Sequence, residues 1–199
     1  MSERNRRRLS VEHEREVVTY AELWHAAGVI LRKGQEEPRG AAWQFLSSII
    51  LSAFAFEAFL NYVGSEVVPN WDDLERALSP EKKLRHLCIA LGVDIGGRHE
   101  RQNQTIRELV RTRNDLAHGR SQMLKPDPTS ARIDNHYEAR ILKRPLTEWE
   151  EKIQNEKFAE RVREDLEQVF RALHKAMPTP KRELFTHGIH SSGASLRET

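Results

Sequence analysis

Residues 41–63 are the longest apolar stretch of the chain and limit the fold more than any other segment. They read Ala-Ala-Trp-Gln-Phe-Leu-Ser-Ser-Ile-Ile-Leu-Ser-Ala-Phe-Ala-Phe-Glu-Ala-Phe-Leu-Asn-Tyr-Val. Such a segment is near the length that crosses a bilayer. It also carries Gln44, Ser47, Ser48, Ser52, Glu57 and Asn61, and a carboxylate at the centre of a membrane costs about 3 kcal/mol. The expectation is therefore the central helix of a helical bundle, with no membrane partner. A helix apolar nearly all round must be covered by neighbours on several sides.

The rest of the chain supplies those neighbours. Residues 1–9 read as a basic arm, with Arg4, Arg6, Arg7 and Arg8 close together. Ser10 is placed to cap a first helix running to about Lys33, with Val17, Ala21, Trp24, Gly28 and Leu31 on one face. Residues 34–40 form a loop, the apolar helix covers about 41–65, and a short capped helix follows over about 71–77. Ser79-Pro80-Glu81 is a start signal, a capping serine followed by proline at the first helical position. The helix it opens, about 80–91, is expected to expose Lys82, Lys83 and Arg85 and to bury Leu84, Leu87, Cys88 and Leu91. After the break at residues 92–97 another helix runs from about 98 to 118. Residues 119–146, with Pro126, Pro128 and Pro145, read as a long loop or insertion. Thr147 and Glu150 form a capping box, opening a last helix to about Ala176 with Val162, Leu166, Val169 and Leu173 as its stripe. Arg163–Glu167 and Glu167–Arg171 are candidate surface pairs. The tail 177–199 is expected to be flexible, and ordered only where it docks. The sum is an all-α bundle of about five main helices with a long loop before the last, one domain over 10–176.

Residues 106–119, Ile-Arg-Glu-Leu-Val-Arg-Thr-Arg-Asn-Asp-Leu-Ala-His-Gly, are the most unusual part of that bundle. Helical periodicity puts Arg113 on the same side as Ile106, Val110 and Ala117. A guanidinium on a core-facing stripe needs a partner or a ligand. Glu57, the one formal charge of the apolar helix, is the expected partner, within ion-pair reach of Arg113 or Asn114. His118 stands in the last turn, just before Gly119, a helix-stop residue.

This Arg-Asn-x-x-x-His pattern, closing a helix of an all-helical chain, resembles the motif of the HEPN superfamily. Residues 52–61, with Glu57, resemble that family's buried acidic helix, and Ser79-Pro-Glu-Lys-Lys-Leu84 resembles the short helix between the two. The likeness spans about residues 10–176. It implies a metal-independent endoribonuclease, or a toxin-like or defence protein, that works on RNA as a homodimer and leaves 2′,3′-cyclic phosphate ends. Arg113, Asn114 and His118 would be the catalytic residues and Glu57 a supporting one. It implies neither metal nor cofactor, and it leaves room for an antitoxin or other protein partner. In one toxin subgroup the motif continues His-x-Tyr and the tyrosine is modified. Here that position is Arg120, so that mode of silencing is not supported.

These residue types suit the chemistry. A histidine of near-neutral pKa moves a proton to or from an attacking or leaving oxygen. A guanidinium meets the charge that builds on phosphorus. Asn114 would orient the phosphate or fix the tautomer of His118. Arg113 and His118 are five residues apart, about 140° round a regular helix, so they converge on one phosphate only if the helix unwinds or if two copies meet. A second reading stays open: Arg113 simply pairs with Glu57, His118 is a helix-end residue, and the domain is a non-catalytic one that binds a protein or RNA partner.

Around the motif, residues 81–120 hold nine basic side chains against five acidic ones, in a chain whose net charge is +2. Lys82, Lys83, Arg85, Arg107, Arg111 and Arg120 are the candidate phosphate contacts, although a solvated helix face explains them equally. His187 and His190 have metal-like spacing without a supporting thiol or carboxylate cluster. The single cysteine, Cys88, excludes an internal disulfide framework and fits a cytoplasmic setting, as does a basic start with no apolar run behind it. Trp24, Trp43, Trp71 and Trp149 are expected to pack in the core or at helix starts.

Overall fold

The computed structural model describes residues 8–97, 99–125, 145–186, 188 and 190–197. Among these the order is β1 (Arg8–Arg15), α1 (Thr19–Glu36), α2 (Ala41–Val67), α3 (Trp71–Glu75), α4 (Pro80–Leu91), α5 (Arg101–Ala117), α6 (Glu148–Lys152), α7 (Lys157–Ala176) and β2 (His190–Arg197). Among the described residues the architecture is an all-α bundle of five main helices and two single-turn ones.

α2 is the axis. It packs against α1, α3, α4, α5 and α7. Phe56, Phe59, Leu60 and Val63 are fully buried, meeting Tyr20 of α1, Leu87 of α4, Leu109 of α5 and Leu166, Phe170 and Leu173 of α7 in one apolar cluster. The rings of Phe59 and Phe170 lie 4.4 Å apart. Each such side chain contributes about 1.5–3 kcal/mol by leaving water. α2 is long and apolar enough to cross a membrane by length and composition, and half of its most apolar window is buried within the fold. Ser48 is buried too, its hydroxyl donating to the Ala27 carbonyl across the α1–α2 seam at 2.9 Å.

Local signals set several boundaries. Ser79 accepts from the Lys82 amide at 3.4 Å, Pro80 opens α4, and Gly92 closes it in the left-handed region at φ 64. Thr147 and Glu150 form the expected capping box. Val162, Leu166, Val169 and Leu173 are buried as expected.

Elsewhere long-range contacts overrule the local reading. The first helix starts at Thr19, not Ser10, because residues 8–15 pair antiparallel with 190–197, from Arg8 opposite Arg197 to Arg15 opposite His190. The tail therefore docks over those residues, and Val17 is exposed. The period-2 alternation of Leu9, Val11 and His13 against Ser10, Glu12 and Glu14 was the available signal. The last helix is not continuous either. It breaks at residues 153–156, where Ile153 turns into the core. Arg163 does not pair with Glu167. Its guanidinium lies 3.8 Å over the Trp24 ring and donates to the Trp24 carbonyl at 2.9 Å, while Glu167 does hold Arg171. Trp24 and Trp71 are buried, and Trp43, in the first turn of α2, is 64% exposed. Most of the 119–146 segment (126–144) and His187 of the histidine pair lie outside the described residues.

Candidate functional site

α5 is held against α7 by polar contacts along its length. Thr105 donates to the fully buried Asp165 at 2.6 Å, Arg101 reaches the same carboxylate at 3.2 Å, Gln102 donates to Gln168 at 2.8 Å, and Arg161 pairs with Glu108. Its other side, through Ile106, Leu109 and Val110, enters the apolar core. That double anchoring fixes the rotation of α5 and with it the direction of every motif side chain.

Arg113 points inward to α2. Its guanidinium donates to the Glu57 carboxylate at 2.5 Å and to the Asn114 side-chain oxygen at 2.9 Å. The expected Glu57–Arg113 pair is thus present, partly buried on both sides. The second Glu57 oxygen is taken by Lys83, whose ammonium sits 3.3 Å away and donates to Asn61 at 2.9 Å. Asn61 in turn donates to Glu75 of α3 at 3.1 Å. One polar chain therefore runs from α5 through α2 to α4 and α3.

Lys83 corrects the sequence reading. It is only 1% exposed, not part of a solvated basic face. The signal existed, since Pro80, Lys83, Leu84, Leu87 and Cys88 are the buried residues of α4 and follow one helical stripe. A buried ammonium is tolerated there because Glu57 and Asn61 stand on the facing helix.

His118 is the C-cap of α5, at φ −113 and ψ 15, its amide donating to the Asn114 carbonyl at 2.9 Å. The imidazole is exposed and has no side-chain partner among the described residues. α5 stays helical through Ala117, so the turn before His118 does not unwind. Arg113 and His118 consequently diverge within one chain. Asn114 and His118, four residues apart, share a face.

The other candidate cations separate into three groups. Arg111 is occupied by Glu148 at 2.7 Å and lies 3.8 Å from Asp115. Arg120 is exposed beyond the end of α5. Lys82, Arg85 and Arg107 come together around a groove of about 750 Å³ between α4, residues 92–97 and the first half of α5. Among the described residues no three metal-ligating side chains of His, Cys, Asp or Glu form a cluster. Burial, and then Asp94, push the Cys88 thiol on the groove wall up to about 11.

Comparison with protein-family models, curated proteins and solved structures finds no match to this chain.

Proposed function

We propose that this chain is a HEPN-type RNA-processing protein of the cytoplasm that cuts single-stranded RNA without a metal, through Arg113, Asn114 and His118 of two copies. The observation that carries this reading is the Glu57–Arg113–Asn114 relay beside an exposed His118 that has no side-chain partner among the described residues. A carboxylate from the central helix holds the guanidinium and, through it, the asparagine, while the imidazole is exposed at the end of the same helix. In the reaction the ribose 2′-oxygen attacks phosphorus and loses its proton. The bond to the 5′-oxygen breaks, and that oxygen gains a proton. One imidazole takes the first proton and an imidazolium gives the second. Arg113 meets the extra charge on the phosphoryl oxygens.

The divergence of Arg113 and His118 calls for a second copy. The outer stripe of α2 offers a seat for it: Trp43 and Phe54 are 64% and 45% exposed, with Ile50 half-buried between them. Phe54 is one turn from Glu57, so a two-fold contact on this stripe lies next to the relay.

The experiment is cleavage of single-stranded RNA in EDTA with identification of the ends. Wild type should leave 2′,3′-cyclic phosphates, and His118→Ala should lose about 10²–10⁴-fold. Arg113→Ala should lose at least as much with its fold intact by melting, and mixing the two variants should restore part of the activity. Cleavage that needs Mg²⁺ and survives His118→Ala refutes the mechanism. A second reading also has support: Arg113 is satisfied internally by Glu57 and Asn114, as it would be in a non-catalytic domain that binds a protein or RNA. Wild-type protein that binds RNA and never cuts it favours that reading.

A further inference from the structure

The groove between α4 and α5 is used by none of the contacts that hold the bundle together at the motif. Its floor is aliphatic, from the buried Leu84 and Ile106 with Cys88, and its rim carries Lys82, Arg85 and Arg107. None of these three cations has an ion-pair or hydrogen-bond partner for its side chain among the described residues. The far wall is built, not loose. Asn103 donates to the carbonyls of Ile95, Gly96 and Gly97 at 3.3, 3.0 and 3.0 Å, and Asp94 accepts from the Gly96 amide at 2.7 Å.

Helix geometry ties the groove to the motif. At 100° per residue, Arg107, Asn114 and His118 fall within about 40° of one line along α5. From Arg107 to His118 the rise is about 16 Å at 1.5 Å per residue. A strand lying along that line would run from the groove past Arg111, which Glu148 holds at 2.7 Å, to the exposed imidazole.

We propose that this groove is a subsite for a short stretch of single-stranded RNA, holding nucleotides upstream or downstream of the phosphate presented to His118. The inference rests on the reading of the α5 end as an RNA site. Lys82, Arg85 and Arg107 take phosphates, and a base lies on the aliphatic floor. The two acidic side chains of the lining, Glu81 and Asp94, accept from base amino groups. They also argue against an acidic peptide as occupant, since it would meet two carboxylates. The cavity has the size range of small-ligand sites, so it takes a nucleotide or two and not a duplex.

The test uses the full chain and a fluorescently labelled single-stranded hexanucleotide RNA, with binding read by anisotropy across a salt series. Lys82→Ala/Arg85→Ala, both exposed positions, and the triple variant with Arg107→Ala should weaken binding at least tenfold. The triple variant should also lower the slope of log affinity against log salt by about 2, at about 0.7 per phosphate on a single strand. Arg32→Glu, an exposed cation of α1 outside the groove, should change binding less than twofold. Groove variants that bind as wild type does overturn the subsite. So does an equal loss in Arg32→Glu, which marks diffuse charge attraction, and so does an acidic helical peptide that binds more tightly than the RNA. Cleavage and binding separate the two proposals. If groove variants lose binding while wild type never cuts, the subsite stands and the nuclease reading falls. If wild type cuts and groove variants cut and bind normally, the reverse holds.

Discussion

Removing Glu57 should cost this fold more than removing either cation it serves. Among the described residues Glu57 is the only carboxylate that contacts both Arg113, at 2.5 Å, and Lys83, at 3.3 Å. In Glu57→Ala the Lys83 ammonium, with its side chain 2% exposed, keeps only the neutral Asn61 oxygen. Arg113, with 24% of its side chain exposed, can recover part of its hydration. Breaking a buried pair by deleting one partner costs about 3–5 kcal/mol. Because Arg113 and Glu57 are partly wet, the expectation here is about 2–4 kcal/mol, most of it from the stranded lysine. Glu57→Gln, which keeps an acceptor but no charge, should fall between that and wild type. Lys83→Met removes the buried charge and leaves Glu57 with Arg113, so it should cost less than about 1.5 kcal/mol. In Glu57→Ala/Lys83→Met most of the single-mutant loss should vanish. Urea unfolding measures this directly: at about 2 kcal/mol per molar, the Glu57→Ala midpoint falls by about 1–2 M. A Glu57→Ala midpoint within 0.2 M (about 0.4 kcal/mol at that slope) of wild type would refute the reasoning. Strict additivity of the two substitutions would refute it as well, since stranding one charge predicts strong coupling.

Other outcomes follow from single contacts. A Cβ on Gly64 would stand 2.1 Å from the Trp71 ring, so Gly64→Ala should cost about 1–3 kcal/mol by overpacking and change the near-ultraviolet signal of that indole; an unaltered spectrum and melting curve would contradict this packing. Burial, and secondarily Tyr62, push the Tyr20 phenol from 10 up to about 12. Between those values the unfolded chain has lost the proton that the folded one keeps, so stability falls as pH rises through that window, by on the order of 2 kcal/mol; Tyr20→Phe should remove that fall, and an identical alkaline profile would count against it. The Cys88 thiol, raised to about 11, should alkylate at neutral pH far more slowly than free cysteine, and a rate equal to the free amino acid would show it more accessible and acidic than its surroundings imply. Trp43→Glu should weaken self-association at least tenfold by light scattering while leaving the melting curve near wild type; a variant that associates as before would move the two-fold contact off this stripe.

What could be read in the sequence is what lies within a turn or two of itself. Ser79-Pro80 and the Thr147–Glu150 box opened helices where their side chains reach free amides, because capping is a contact between neighbours in the chain. The apolar run of α2 required burial wherever its neighbours came from. The Glu57–Arg113 pair was also legible, though its members are far apart in sequence. Each is a charge on an otherwise apolar helix stripe, and a buried charge narrows its own choice of partner. The tertiary structure decided the matters that depend on which helices meet. Lys83 entered the interior because α4 turns that stripe toward Glu57 and Asn61, and Arg163 left Glu167 because Trp24 of α1 lies within reach. Residues 8–15 became a strand because residues 190–197 supply their hydrogen bonds, outweighing the local helix signal at Ser10. The site divides the same way. The sequence named Arg113 and His118, and the helical period set them about 140° apart. Only the packing of α5 between α2 and α7 turned the guanidinium inward to a carboxylate and left the imidazole in solvent, because helix rotation is fixed by the partners on both sides and not by the helix itself.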